Sequence, residues 1–165
     1  MDSESEMSKP LRAALACMAI FAAMAMAAVQ AAEKRENNGS SPADFKWLPL
    51  SSLPPGAEVA LVHGNPRLSG PYTYRIRLPA NYRVPVHAHS DNRFYTFLSG
   101  TFYEAEGSNL DPGRLEAYQP GSFQVYSANT YHYGLTKDDA VIFQVHGYGP
   151  TALTYFDQAE DPRKN

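Results

Sequence analysis

Across residues 72–155 the side chains alternate apolar and polar with a period of two, in runs short enough to be strands. The stretch YTYRIRL sets Tyr72, Tyr74, Ile76 and Leu78 on one side and Thr73, Arg75 and Arg77 on the other. That is the pattern of a half-buried strand. RVPVHAH gives another, with His87 and His89 on the same side. FYTFLSGTFYEAEG reads as two strands separated by Gly100, and GSFQVYS, TYHYGL, AVIFQVHGY and ALTYF add four more. NLDPG, QPG, KDD and GYGP carry turn chemistry between several of them. Eleven tyrosines, thirteen prolines and eleven glycines suit such a strand-and-turn chain, and 44% hydrophobic residues suffice for a core. Many short strands with no helical stretch predict an all-β sandwich or barrel. At 165 residues the chain has room for one domain and an appendage.

The appendage is N-terminal. Residues 13–32, AALACMAIFAAMAMAAVQAA, carry no charge and lie between Arg12 and Glu33, with Lys9 adding a positive flank. VQA places small residues at a cleavage site, so residues 1–31 are expected to be an export signal cut after Ala31. Met7 opens a second candidate start, MSKPLR. An uncleaved anchor is the alternative: the run is long enough to span a bilayer, but it is mostly alanine. The expectation is therefore a periplasmic or secreted protein with no stable membrane insertion once the signal is cut. Cleavage also removes Cys17, the only cysteine, so the mature chain has no disulfide. Residues 32–55 read as a polar linker followed by an irregular edge segment. Within it FKWLPLSSL is a candidate contact for a homodimer. Residues 56–157 form the β-domain and 158–165 a tail. The formal net charge is −3 and no basic patch stands out, so nucleic acid is not an expected partner.

The chemistry starts in HAHSDNRFYTFLSG, residues 87–100. Alternate residues of a strand share a face and lie about 6.6 Å apart along it. His87 and His89 can thus reach one ion, and imidazole suits zinc, iron, copper and nickel. The segment resembles the first motif of the cupin family: glycine, five residues, HxH, three or four residues, glutamate, six residues, glycine. His87, His89 and Gly100 fall on that pattern, while Asn81 stands at the opening glycine and Arg93 at the glutamate. GSFQVYSANTYHYGLT resembles the second motif, with Gly121 and His132 in place. Ser127, Asn129 and Thr136 replace its proline, second glycine and asparagine. Asparagine tolerates the left-handed backbone such a glycine supplies. The resemblance implies a single cupin-type β-barrel, jelly-roll-like and double-stranded. It also implies a divalent metal held inside by His87, His89 and His132.

Arg93 leaves three readings open. It points inward and clamps an anionic substrate beside a three-histidine metal, similar to the arrangement in cupin thiol dioxygenases. Alternatively, metal binding has been lost and the barrel holds a ligand without it. In the third, Arg93 faces solvent, paired with Asp91, Glu104 or Glu106. A guanidinium cannot ligate a metal, and facing an ion directly it would be repelled.

Gln144 and His146 share one face of AVIFQVHGY, and if that face lines the barrel they join the site. Tyr131, Gln144 and His146 are the candidates to assist proton transfer. Glu104 and Glu106 read as a solvated strand, and His63 as a surface residue before a turn. No phosphate-binding glycine loop and no GxSxG elbow is present. The reading is an exported metal-binding cupin that takes a small-molecule ligand. If it is an enzyme, it is a small non-haem dioxygenase or isomerase acting on an anionic molecule. Ferrous iron is the expected ion for an oxygenase, with zinc, manganese, nickel and copper open. The rival is a non-catalytic sugar or organic-acid binder with weak or no metal, and a structural, dimer-forming module is a third.

Overall fold

The computed structural model describes residues 41–164 together with Gly39. The expected export signal lies outside the described residues. Eleven strands follow in chain order: β1 Leu48–Pro49, β2 Glu58–His63, β3 Gly70–Leu78, β4 Arg83–His89, β5 Arg93–Ser99 and β6 Phe102–Glu106. Then come β7 Glu116–Tyr118, β8 Phe123–Tyr126, β9 His132–Thr136, β10 Val141–Gly149 and β11 Leu153–Tyr155. Four short 3-10 turns, at Pro42–Asp44, Pro112–Arg114, Gln158–Glu160 and Pro162–Lys164, are the remaining regular elements among the described residues. Among these residues no helix is long and apolar enough to cross a membrane.

The strands form two antiparallel sheets. One has the order β1-β2-β3-β10-β5-β8, the other β11-β4-β9-β6-β7. The period-two alternation decides which side chains fill the space between them. On β3, Tyr72, Tyr74, Ile76 and Leu78 are buried, while Thr73, Arg75 and Arg77 lie on the outer face. β10 pairs with β3 along its whole length, from Val141 opposite Leu78 to Gly149 opposite Gly70, and turns Val141, Phe143 and Val145 inward. Burying each such side chain contributes about 1.5–3 kcal/mol. Phe97, Phe102 and Phe143 join the two sheets, their ring centroids 5.5, 5.7 and 6.1 Å apart.

β4 departs from strict alternation: every residue from Val84 to His89 is buried. Its inner face carries His87 and His89. Its other face is covered, Val86 packing with Ala105, Tyr133 and the half-buried Leu115 and Tyr131. Strands β2 and β7 carry no alternation clear enough to be expected from sequence. Asn81 and Asn129 adopt left-handed backbones, φ 56° and 63°, at the two positions where asparagine stands for a motif glycine. Gly100 also has positive φ, at 67°, and a Cβ there would strike the Ala140 carbonyl, so the turn from β5 to β6 needs glycine.

Candidate metal centre

His132 opens β9 directly opposite His87 on β4, and His89 lies two residues further along β4 on the same face. Register and pleat therefore aim three imidazoles at one point. Their ligating nitrogens lie within 4.8 Å of one another, and all three residues are buried. Ring centroids are 4.3 Å apart for His87–His132, 4.8 Å for His87–His89 and 5.3 Å for His89–His132.

Backbone carbonyls fix two of the tautomers. His87 Nδ1 lies 2.7 Å from the Pro85 oxygen and His132 Nδ1 3.0 Å from the Thr130 oxygen. A carbonyl only accepts, so each ring holds its proton on Nδ1 and keeps a lone pair on Nε2. Nε2 of His132 is buried with no partner. Burial, seconded by the nearby Arg93 charge, lowers His87 to about 4. It also drives His89 and His132 far below the ordinary histidine range, where Arg93 and the neighbouring imidazoles add to it. Three neutral imidazoles, one with an orphaned buried lone pair, are a donor set that fits a divalent first-row ion.

Arg93, the first residue of β5, is buried beside this cluster. Its Nη1 lies 3.2 Å from His89 Nε2, and its Nη2 donates to Thr151 Oγ1 at 2.7 Å. Its Nε is 3.4 Å from Asp91 Oδ1. The Tyr72 hydroxyl donates to Asp91 Oδ2 at 2.5 Å, and the Thr151 hydroxyl donates to Oδ1. Gly147 makes room for this network, since a Cβ there would meet both the Tyr72 ring and the Asp91 carboxylate. Of the three readings of Arg93, the solvent-facing one is corrected: the pairing with Asp91 is present, but the pair is buried. The guanidinium occupies His89 Nε2, so an ion reaches that nitrogen only as Arg93 releases it, while Nδ1 of His89 is buried without a partner.

A cavity of about 530 Å³ opens onto the histidines. Its walls include Tyr74, Ile76, Val84, Phe102, Phe143 and Leu153, and it also exposes Arg93, Tyr95 and Glu104. Glu104 is the residue that sequence reasoning missed. Of the carboxylates on β6, Glu106 is exposed as expected, whereas Glu104 is 2% exposed. Burial pushes its carboxyl up to about 8; a hydrogen bond with Tyr126 opposes the shift and Glu106 adds to it. Oε1 of Glu104 has no hydrogen-bond partner. Glu104 shares its strand face with the buried Phe102 and with the exposed Glu106, so the sequence alone did not decide its burial.

The remaining candidates fall elsewhere. Val141, Phe143 and Val145 take the inner face of β10, so Gln144 and His146 point outward. There Arg75 Nε donates to Gln144 Oε1 at 3.0 Å, Gln144 Nε2 lies 3.0 Å from His146 Nε2, and His146 Nδ1 lies 2.9 Å from Thr73 Oγ1. Tyr131 packs edge-on against Phe156, ring centroids 5.3 Å apart, and does not line the cavity. The expected part of these three residues in proton transfer is therefore corrected: alternation places them away from the histidines. His63 is exposed.

No protein-family model matches the sequence, and no curated protein matches it. Solved structures do match. The polyketide cyclase RemF from Streptomyces resistomycificus superposes with a TM-score of 0.63 over 76% of this chain and 89% of its own, at 17% identity. An RmlC-like cupin protein from Ralstonia eutropha gives 0.57 over 76% of each chain, at 19% identity. An acetylacetone dioxygenase from Acinetobacter johnsonii gives 0.56 over 74% of this chain and 78% of its own, at 17% identity. The fold is that of the cupins.

Proposed function

We propose that this chain is a metal-dependent cupin acting on a small anionic molecule, with His87, His89 and His132 holding a divalent ion. The observation that carries it is the convergence of three buried, neutral imidazoles on one point at the edge of a largely apolar cavity. When bound, such an ion supplies Lewis acidity and open coordination positions. The chain's own residues supply the rest. Arg93, at the position where the resemblance places a glutamate, borders the cavity and presents its guanidinium to a carboxylate or enolate. Tyr74, Ile76 and Phe143 wall the substrate body and exclude water. Ferrous iron is the ion for an oxygen-dependent reaction, and the acetylacetone dioxygenase among the structural neighbours supports that direction. We also propose that residues 1–31 direct export.

A ligand panel on the cobalt-loaded full chain tests this reading and separates it from sugar binding. Small carboxylates and β-diketone enolates are expected to shift the visible cobalt bands saturably. Arg93→Lys should weaken that binding at least about tenfold, because an ammonium cannot reproduce the planar fork. A response to neutral sugars with none to the anions would overturn the anionic-substrate assignment.

A further inference from the structure

Three neutral imidazoles leave a divalent ion with its full charge, in a low-dielectric barrel that already holds the Arg93 cation. Two positive centres buried together are costly unless a negative group joins them. Asp91 is committed to Arg93, Tyr72 and Thr151. Among the described residues lining the cavity, Glu104 is the only acid. It stands opposite Gly134 on β9, two residues along from His132, so Glu104 and His132 are diagonal neighbours. Such neighbours are about 7–8 Å apart between Cα atoms, within reach of a long side chain. Gly134 carries no side chain, and the Phe102 ring packs over it. One Glu104 oxygen is buried and unpartnered.

We propose that Glu104 is the charge-compensating carboxylate of the cation site, turning toward a divalent ion held by His87, His89 and His132 and joining them as a fourth protein ligand. The carboxyl enters as the carboxylate, its proton passing to water. The present cluster of ligating nitrogens is made of the histidines alone, so the carboxylate arm moves by side-chain rotation on a fixed strand. This inference rests on the metal reading above and goes beyond it by naming a fourth ligand on β6.

The test is titration of the metal-free full chain and its variants with cobalt and zinc, following both affinity and the visible cobalt spectrum. Wild type and Glu106→Gln, the exposed neighbour, should bind one ion alike. Glu104→Gln should keep that stoichiometry, bind about 10- to 100-fold more weakly and show a changed cobalt spectrum. Glu104→Asp keeps the charge on a shorter arm and should fall between them, so the proposal stays testable even where the glutamine variant folds poorly. Unchanged affinity and spectrum in Glu104→Gln would overturn the role of Glu104 and leave the three-histidine site standing. No binding by wild type would overturn the metal reading and this one with it.

Discussion

Asp91→Ala is expected to destabilise the protein by about 3–5 kcal/mol, because it strands a buried guanidinium without its counter-ion. Asp91 and Arg93 have side-chain exposures of only 8% and 6%. Asp91 also accepts from Tyr72 and Thr151, so its removal takes the acceptor from two part-buried hydroxyls. Denaturant unfolding measures the loss as a fall in midpoint. The partner experiment is Asp91→Ala with Arg93→Met. Replacing both charges by apolar groups removes the stranded cation, and most of the stability should return. A cost below about 1 kcal/mol for Asp91→Ala would place the pair among solvated surface ion pairs, and the inward, anion-binding role of Arg93 would lose its physical basis.

The second large effect is on the pH dependence of stability. Glu104 is raised in the folded chain from an ordinary value of 4.5 to about 8. Its contribution is fully present below pH 4.5 and is lost as pH rises through 8, since the unfolded chain ionises first. The buried histidines act in the opposite sense. His87, ordinarily 6.5, is lowered to about 4, so its contribution is complete above pH 6.5 and is lost on acidification through 4. Between pH 6.5 and 8 the loss from Glu104 runs against the last of the histidine gain, as the unfolded chain's imidazoles deprotonate. Across that interval metal-free wild type should lose about 1.5–2 kcal/mol relative to Glu104→Gln, at roughly 1.4 kcal/mol per pH unit. Glu104→Gln, uncharged at position 104 throughout, should gain slightly. Equal slopes in the two proteins would mean that the Glu104 carboxyl is solvated in the folded state.

Much of this architecture is legible in the sequence, for a physical reason. Where a strand has one face in the core and the other in water, as in YTYRIRL, composition writes the pleat directly. VIFQVHGY shows the same: Val141, Phe143 and Val145 mark the buried face, and therefore place Gln144 and His146 on the other. Strand β4 is harder to read because both of its faces are covered, yet the two-residue spacing of His87 and His89 survives. His132 lies 43 residues beyond His89 in the chain, and no local periodicity connects them; only the resemblance to the second motif did. Glu104 was illegible for the opposite reason. Two glutamates on one face of FYEAE look solvated, and whether a carboxyl at position 104 meets water or a cavity depends on the strands facing it. Arg93 shows the same limit: sequence supplies a cation and a nearby acid, but not that both are buried.

The proposed site holds one metal ion on three histidines. The most direct measurement is the metal-to-protein ratio of the full chain and of His132→Ala, both purified without chelator or a metal-binding tag and then reloaded with ferrous iron or zinc. Wild type is expected to hold close to one ion per chain and His132→Ala close to none. A ratio near zero in both proteins after reloading would contradict the three-histidine site, and the barrel would then be a metal-free binder built around the Arg93–Asp91 pair.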